Sequence, residues 1–196
     1  GQISGMKRKD RHPYYPMFLN ISGKRCVVVG GGEVALRKVK MLLEHGANVE
    51  VISPKLCPKL NRLAETGGIC VLPRSFSAGD LQNAFLAIAA TSDSNTNREV
   101  VREAREKAVL VNVVDERDSC DFIVPSYLRR GDITIAVSTG GRSPALARKI
   151  RTNLEKDFGN EFAALAVLLD EVRDEVKRQG IRVNADAWQE ALDLGL

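Results

Sequence analysis

Three consecutive glycines, placed directly after a β-branched run, limit this chain more than any other feature. Cys26-Val27-Val28-Val29 ends at Gly30-Gly31-Gly32, and Glu33-Val34-Ala35-Leu36-Arg37-Lys38 follows without a break. An apolar run of that length reads as a buried strand. The run after the glycines carries apolar residues at helical spacing, through Val34, Leu36, Val39, Leu42 and Leu43. Strand, tight turn and helix N-terminus together form a site where backbone N–H groups and the positive end of the helix meet a pyrophosphate. The spacing G-x-G-x-x-A falls on Gly30, Gly32 and Ala35. Alone it is a weak pattern, and a turn that binds nothing is the alternative. A second strand near Val49–Ile52 arrives at the spacing expected of a dinucleotide fold, which favours nucleotide binding.

Strand and helix patterns then alternate. Helices are expected over about 33–45, 56–66 and 94–107, with a helical turn at 78–83. Strands are expected at 25–29, 49–52, 69–72, 85–90 and 109–114. The runs Phe85–Ala90 and Val109–Val114 are nearly all apolar, as in strands buried on both faces. Such alternation gives a parallel sheet covered by helices on both sides. After Asp115 the pattern changes. Phe122–Pro125 and Ile133–Val137 around Arg130-Gly131-Asp132 read as an antiparallel pair. Ser143-Pro144 reads as an N-cap and first turn of a helix reaching about 158, and 161–196 is helical again.

The chain of 196 residues is long enough for a sizeable core, and its net charge of +4 suits a small polyanion without requiring nucleic acid. No run approaches the roughly 20 apolar residues of a membrane helix, and no secretory leader is expected, since the first residues lack an apolar run. Gly1–Gly5, ahead of Met6, read as an appended remnant. The basic Lys7-Arg8-Lys9 leads into an extended aromatic arm at Tyr14-Tyr15-Pro16-Met17-Phe18, whose rings are expected to pack on the domain edge. The four cysteines lack C-x-x-C spacing and read as buried, reduced thiols of a cytoplasmic protein.

Several places could carry chemistry. At the end of the second strand, where an acid usually bonds the adenosine ribose, this chain has Ser53, with Pro54 and Lys55 following. Glu50 is mid-strand and misdirected for that role, so NAD against NADP stays open. Asp115 leaves a buried run at the rim where open α/β sheets bind ligands; it acts as a base there, or only caps a loop or pairs with Arg117, and partial withdrawal from water would suit the first. Ser138-Thr139-Gly140-Gly141-Arg142-Ser143 opens a helix and could receive an anion, with Arg142, Arg148, Lys149 and Arg151 adding charge; a plain turn is the alternative. The two histidines, His12 and His45, stand apart, and neither a catalytic triad nor metal-ligand spacing occurs.

Taken together, these segments resemble the stand-alone precorrin-2 dehydrogenases and the N-terminal half of siroheme synthases. The stretches carrying the resemblance are Val28–Lys38, Ala87–Thr91, Val111–Asp115, Phe122–Ser126 and Ala136–Arg148, in order over about 14–155. The chain stops before a methyltransferase region, so the stand-alone form is expected. The resemblance implies a Rossmann-like NAD-binding domain (6–117), a small dimerisation and active-site segment (118–150) and a helical C-terminal region (151–196). It implies a homodimer that oxidises precorrin-2 to sirohydrochlorin with NAD as hydride acceptor, and no nucleic-acid or membrane partner. Asp115 corresponds to the family's catalytic aspartate. Gly30, Gly31, Gly32, Glu33, Val34, Ser53, Pro54, Lys55 and Thr91 fall on cofactor segments, and Ser138, Thr139, Gly140, Arg142 and Arg148 on the substrate side. Some relatives also insert iron; here, with no histidine at an obvious second position, ferrochelatase activity is expected to be weak or absent. The alternatives are an NAD(H)-sensing module without catalysis and a tetrapyrrole chelatase or carrier.

Overall fold

β1 (Arg25–Val29) sends alternate side chains to opposite faces of a sheet, and both faces are apolar. Cys26 and Val28 enter one core; Val27 and Val29 enter the other. In this computed structural model, which describes residues 13–193, β1 lies at the middle of a five-stranded sheet of order β3-β2-β1-β4-β5. The neighbours are β2 (Asn48–Ile52), β3 (Cys70–Leu72), β4 (Leu86–Ala89) and β5 (Leu110–Val113). Every pairing is parallel, with Val29 opposite Ile52 and Ala89, and Ala89 opposite Val113. All five carboxyl ends therefore share one edge.

α1 (Glu33–Glu44) buries Ala35, Leu36, Val39 and Leu42 on the first face, beside Leu60 of α2 (Pro58–Glu65). α3 (Ser94–Glu106) covers the second with Val100, Val101 and Ala104. Val34 and Leu43, expected in the buried stripe of α1, are only half-buried. Asp93 caps α3 by accepting from the N–H groups of Asn95 and Thr96. Glu103 of α3 is 5% exposed and accepts from the N–H groups of Gly79 and Leu81, each at 3.0 Å. That bond fixes the 78–83 segment as successive turns rather than the expected helical turn.

The outer edge of β5 is covered by the chain that follows it. Asp121 accepts from the N–H of Val111 and its own N–H donates to the Val111 carbonyl. Cys120 Sγ accepts from Val113 N–H at 3.1 Å, and Asn112 Nδ2 donates to the Phe122 carbonyl at 2.9 Å. An edge strand is thereby shielded without a sixth strand. These bonds also hold Phe122 out of the hairpin, which begins at Ser126 rather than Phe122. The chain divides into two compact units after Val124, so 118–124 belongs with the sheet.

The second unit contains the antiparallel hairpin β6 (Ser126–Arg130) and β7 (Ile133–Val137), then α4 (Pro144–Asp157), α5 (Glu161–Arg178) and α6 (Ala185–Asp193). Ser143 caps α4 through its Oγ, which accepts from Leu146 N–H at 3.2 Å, and Pro144 takes the first turn. The expected basic Lys7–Lys9 segment, His12 and residues 194–196 lie outside the described residues. Residues 13–20 form neither helix nor strand. Tyr14 lies under the Arg117 guanidinium, 5.9 Å from ring centroid to charge, whereas Tyr15 is exposed rather than packed.

Candidate functional site

The order 3-2-1-4-5 reverses direction between β1 and β4, and open parallel sheets bind ligands in the crevice at that point. The glycine turn stands there. Gly30 has φ +129°, and a Cβ on it would strike the Ala90 backbone, 2.8 Å from the carbonyl carbon. A Cβ on Gly31 would collide with the Lys55 carbonyl oxygen and lie 2.6 Å from Ser53 Oγ. Packing and backbone shape thus demand glycine at both positions.

Gly32 differs. Its φ is −87°, open to any residue, and a Cβ there would meet nothing within 4 Å. Nothing in the protein requires glycine at 32. What the position offers is close approach to the N-cap of α1, where the first N–H groups have no helical partner. A pyrophosphate fits that cradle. Ala35, wholly buried, lets α1 pack closely on the sheet. Glu33 is exposed in the first turn, with Val34 half-buried next to it.

The exit of β2 folds against this turn. Gly30 N–H donates to the Ile52 carbonyl at 2.9 Å, and Cys57 N–H to the Gly31 carbonyl at 2.7 Å. Ser53 is 8% exposed and donates its hydroxyl to the Lys55 carbonyl at 2.7 Å. It therefore shapes the Ser53–Lys55 turn, while Pro54 and Lys55 are exposed. Glu50 pairs with Arg25 at 2.6 Å, turned away from the rim as expected from its place in mid-strand. At the end of β4, Thr91 donates to Asn97 Oδ1 at 3.0 Å and accepts from Asp93 N–H at 3.1 Å; Asn97 Nδ2 returns a bond to the Thr91 carbonyl.

Asp115 lies just past β5 on the same edge, two strands from the glycine turn. At a strand spacing of 4.7–4.9 Å that is roughly 10 Å, within the span of a dinucleotide. Asp115 has φ +64°, a left-handed conformation uncommon for a non-glycine residue and concentrated at functional turns. Its side chain is exposed in the chain, not partly withdrawn as expected, and among the described residues no ion pair ties it to Arg117. Lys38, half-buried on α1, is the neighbour that sequence reasoning missed. Burial pushes its ammonium below the usual lysine range, Arg37 adds to this, and Cys120 and Asp115 oppose it. Burial likewise raises the Cys120 thiol. No local pattern marks Lys38, because its partners come from the segment after β5, some 80 residues on.

In the second unit, the 138–143 turn satisfies much of its own bonding. Gly140 N–H donates to Ser138 Oγ at 3.0 Å and Ser143 N–H to Thr139 Oγ1 at 2.9 Å. Gly140 and Gly141 are both left-handed, at φ +59° and +73°. Those two N–H groups are spent within the turn, and the guanidinium groups of Arg142 and Arg148 beside it are exposed. No group of three or more potential ligands for a metal ion occurs among the described residues. No helix among them is long and apolar enough to cross a membrane. Cys70, expected buried, is exposed on β3, and Cys26 is buried; all four cysteines are free.

Comparison with known proteins agrees with this geometry. Residues 17–126 match the family described as "Putative NAD(P)-binding", and 130–156 match the sirohaem biosynthesis protein central region. The siroheme synthase of Nitrosococcus oceani is 43% identical over 181 residues, covering 91% of this chain and 39% of the relative. That of Chromobacterium violaceum is 40% identical over 182 residues, covering 92% of this chain and 39% of the relative. The chain thus spans about two fifths of the length of these relatives. The solved structure of SirC, a precorrin-2 dehydrogenase, superposes with a TM-score of 0.74 at 28% identity, covering 92% of this chain and 88% of that one. With its parallel sheet and open glycine turn, the chain belongs to the family described as "Putative NAD(P)-binding", and it carries a match to the sirohaem biosynthesis protein central region behind it.

Proposed function

We propose that this chain is an NAD-dependent precorrin-2 dehydrogenase, forming sirohydrochlorin in siroheme biosynthesis. The observation that carries the reading is the shared edge: the open glycine at 32 and the carboxylate of Asp115, on a left-handed backbone, leave the same side of one sheet, two strands apart. A nicotinamide cofactor supplies a hydride acceptor when bound. The N–H groups at the start of α1 hold its pyrophosphate, with Gly31, Glu33, Val34 and the Ser53–Lys55 turn flanking it and Thr91 bracing the exit of β4. Asp115 takes the proton released as conjugation extends, or orients the ring that loses it. Arg142 and Arg148, on a turn shaped by Ser138, Thr139 and Gly140, bind carboxylates of the tetrapyrrole. The SirC likeness and the siroheme synthase relatives support this substrate class.

The chain works as a cytoplasmic homodimer, and iron insertion is at most a minor activity, since among the described residues no histidine stands at an obvious second position for it. The test is a coupled assay with purified protein, precorrin-2 and NAD+. NADH absorbance should rise together with the sirohydrochlorin spectrum. Binding of NAD+ with no NADH formed would instead indicate a sensor. Tetrapyrrole binding with no NADH formed would indicate a carrier or chelatase.

A further inference from the structure

The ribose end of the nucleotide site lacks the group that normally excludes a 2′-phosphate. In dinucleotide folds an acid at the end of the second strand bonds the ribose 2′-hydroxyl and repels a phosphate there; a nearby cation reverses that preference. Here the position is Ser53. Its hydroxyl is committed to the Lys55 carbonyl at 2.7 Å and the residue is 8% exposed, so it presents little to a ribose. The segment Ser53-Pro54-Lys55-Leu56-Cys57 holds no acid, and Glu50 is engaged by Arg25 at 2.6 Å. The cation at the end of β3, Arg74, is engaged by Asp80 through two bonds of 2.7 and 2.8 Å.

Lys55 is an exposed charge at this corner, and its backbone is fixed. Its carbonyl presses on the Gly31 position, and Cys57 N–H locks the segment to the Gly31 carbonyl at 2.7 Å. No ion pair to Lys55 occurs among the described residues.

We propose that the Ser53–Lys55 turn, with no carboxylate and with Lys55 held beside Gly31, admits a 2′-phosphate, so that the chain binds NADP+ as well as NAD+. This rests on the nucleotide-binding reading of the glycine turn and not on the identity of the tetrapyrrole. Lys55 is a specificity residue: its ammonium attracts the extra phosphate and contributes little to NAD+.

The experiment is a calorimetric titration of the full chain with NAD+, NADP+, ADP-ribose and 2′-phospho-ADP-ribose, at low and high salt. Wild type should bind NADP+ within about five-fold of NAD+, and only the 2′-phosphorylated ligands should weaken markedly with salt. Lys55→Glu should weaken the 2′-phosphorylated ligands about ten-fold or more relative to their unphosphorylated counterparts, as expected for reversing one exposed charge beside a dianion. An unchanged urea-unfolding midpoint shows that the variant is folded, and Lys55→Gln should fall between the two. NADP+ binding more than about thirty-fold weaker than NAD+ in wild type, or an unchanged ligand ratio in Lys55→Glu, overturns the inference. Because the titration needs no precorrin-2, a protein that turns over with NAD+ alone keeps the dehydrogenase reading and loses this one. One that binds both nucleotides without turnover does the reverse.

Discussion

Replacing each glycine of the 30–32 turn with alanine separates what the fold requires from what the ligand requires. At Gly31 the new methyl overlaps the Lys55 carbonyl oxygen and lies 2.6 Å from Ser53 Oγ. Neither neighbour is the free end of a flexible side chain, since Cys57 N–H ties the segment to Gly31 at 2.7 Å. The exit of β2 must move by more than an ångström, a cost of about 3 kcal/mol or more, judged from overpacked cores that force the backbone to shift. Gly30→Ala combines a φ of +129° with a collision on Ala90 and should cost a similar amount. Gly32→Ala meets nothing within 4 Å. Loss of a favourable N-cap and gain from a stiffer unfolded chain nearly cancel, leaving stability within about 1 kcal/mol. Its methyl occupies the phosphate's approach instead. Losing one charge-assisted bond, about 1.5–3 kcal/mol, weakens binding roughly ten- to one-hundred-fold. Urea unfolding and NAD+ titration of the same samples read both quantities. If Gly32→Ala binds NAD+ like wild type, the pyrophosphate does not lie on this turn. If it unfolds as readily as Gly31→Ala, the packing argument fails.

Other consequences can be checked by simpler means. Glu103→Ala strands the buried N–H of Leu81 and the partly buried N–H of Gly79, and should cost about 1–3 kcal/mol in urea unfolding while leaving NAD+ affinity unchanged. The Arg74 guanidinium holds the Asp80 carboxyl below its usual range, with the Ser77 N–H assisting. That contribution is complete above the unfolded carboxylate value, about pH 4, and is lost as pH falls through the lower folded value. Asp80→Asn should therefore be less stable than wild type at pH 7, with the gap narrowing in acid melts. Burial raises the Cys26 thiol to about 11, so iodoacetamide at neutral pH should label exposed Cys70 first and reach Cys26 only on unfolding.

The parts of this structure that were legible in the sequence are those set by neighbours in the chain. β1 runs Arg25–Val29 as the apolar run predicts, and Gly46, at φ +77°, stops the first helix. Ser143-Pro144 opens α4 for reasons contained in those two residues. The missed features depend on distant partners. Residues 78–83 read as helical until Glu103, more than 20 residues on, takes their N–H groups. Phe122 has strand character but is held beside β5 by Asn112, so the hairpin starts four residues later. The 138–143 turn has the composition of an anion nest, yet its own hydroxyls take two of those donors, at Gly140 and Ser143. At the site, the glycine turn was legible and Lys38 was not. Helical periodicity places Lys38 beside the apolar stripe but cannot say that Asp115 and Cys120 lie near it.

Single-turnover oxidation of precorrin-2 by wild type and by Asp115→Asn, with bound NAD+ quantified in the same samples, bears most directly on the central claim. Both proteins should carry equal NAD+. Wild type should form NADH and sirohydrochlorin in equal amounts, and Asp115→Asn should be slower by about a hundred-fold or more, the usual weight of a positioned proton acceptor. Equal rates in the two proteins would remove Asp115 from the chemistry, and with it the argument from the shared edge of the sheet.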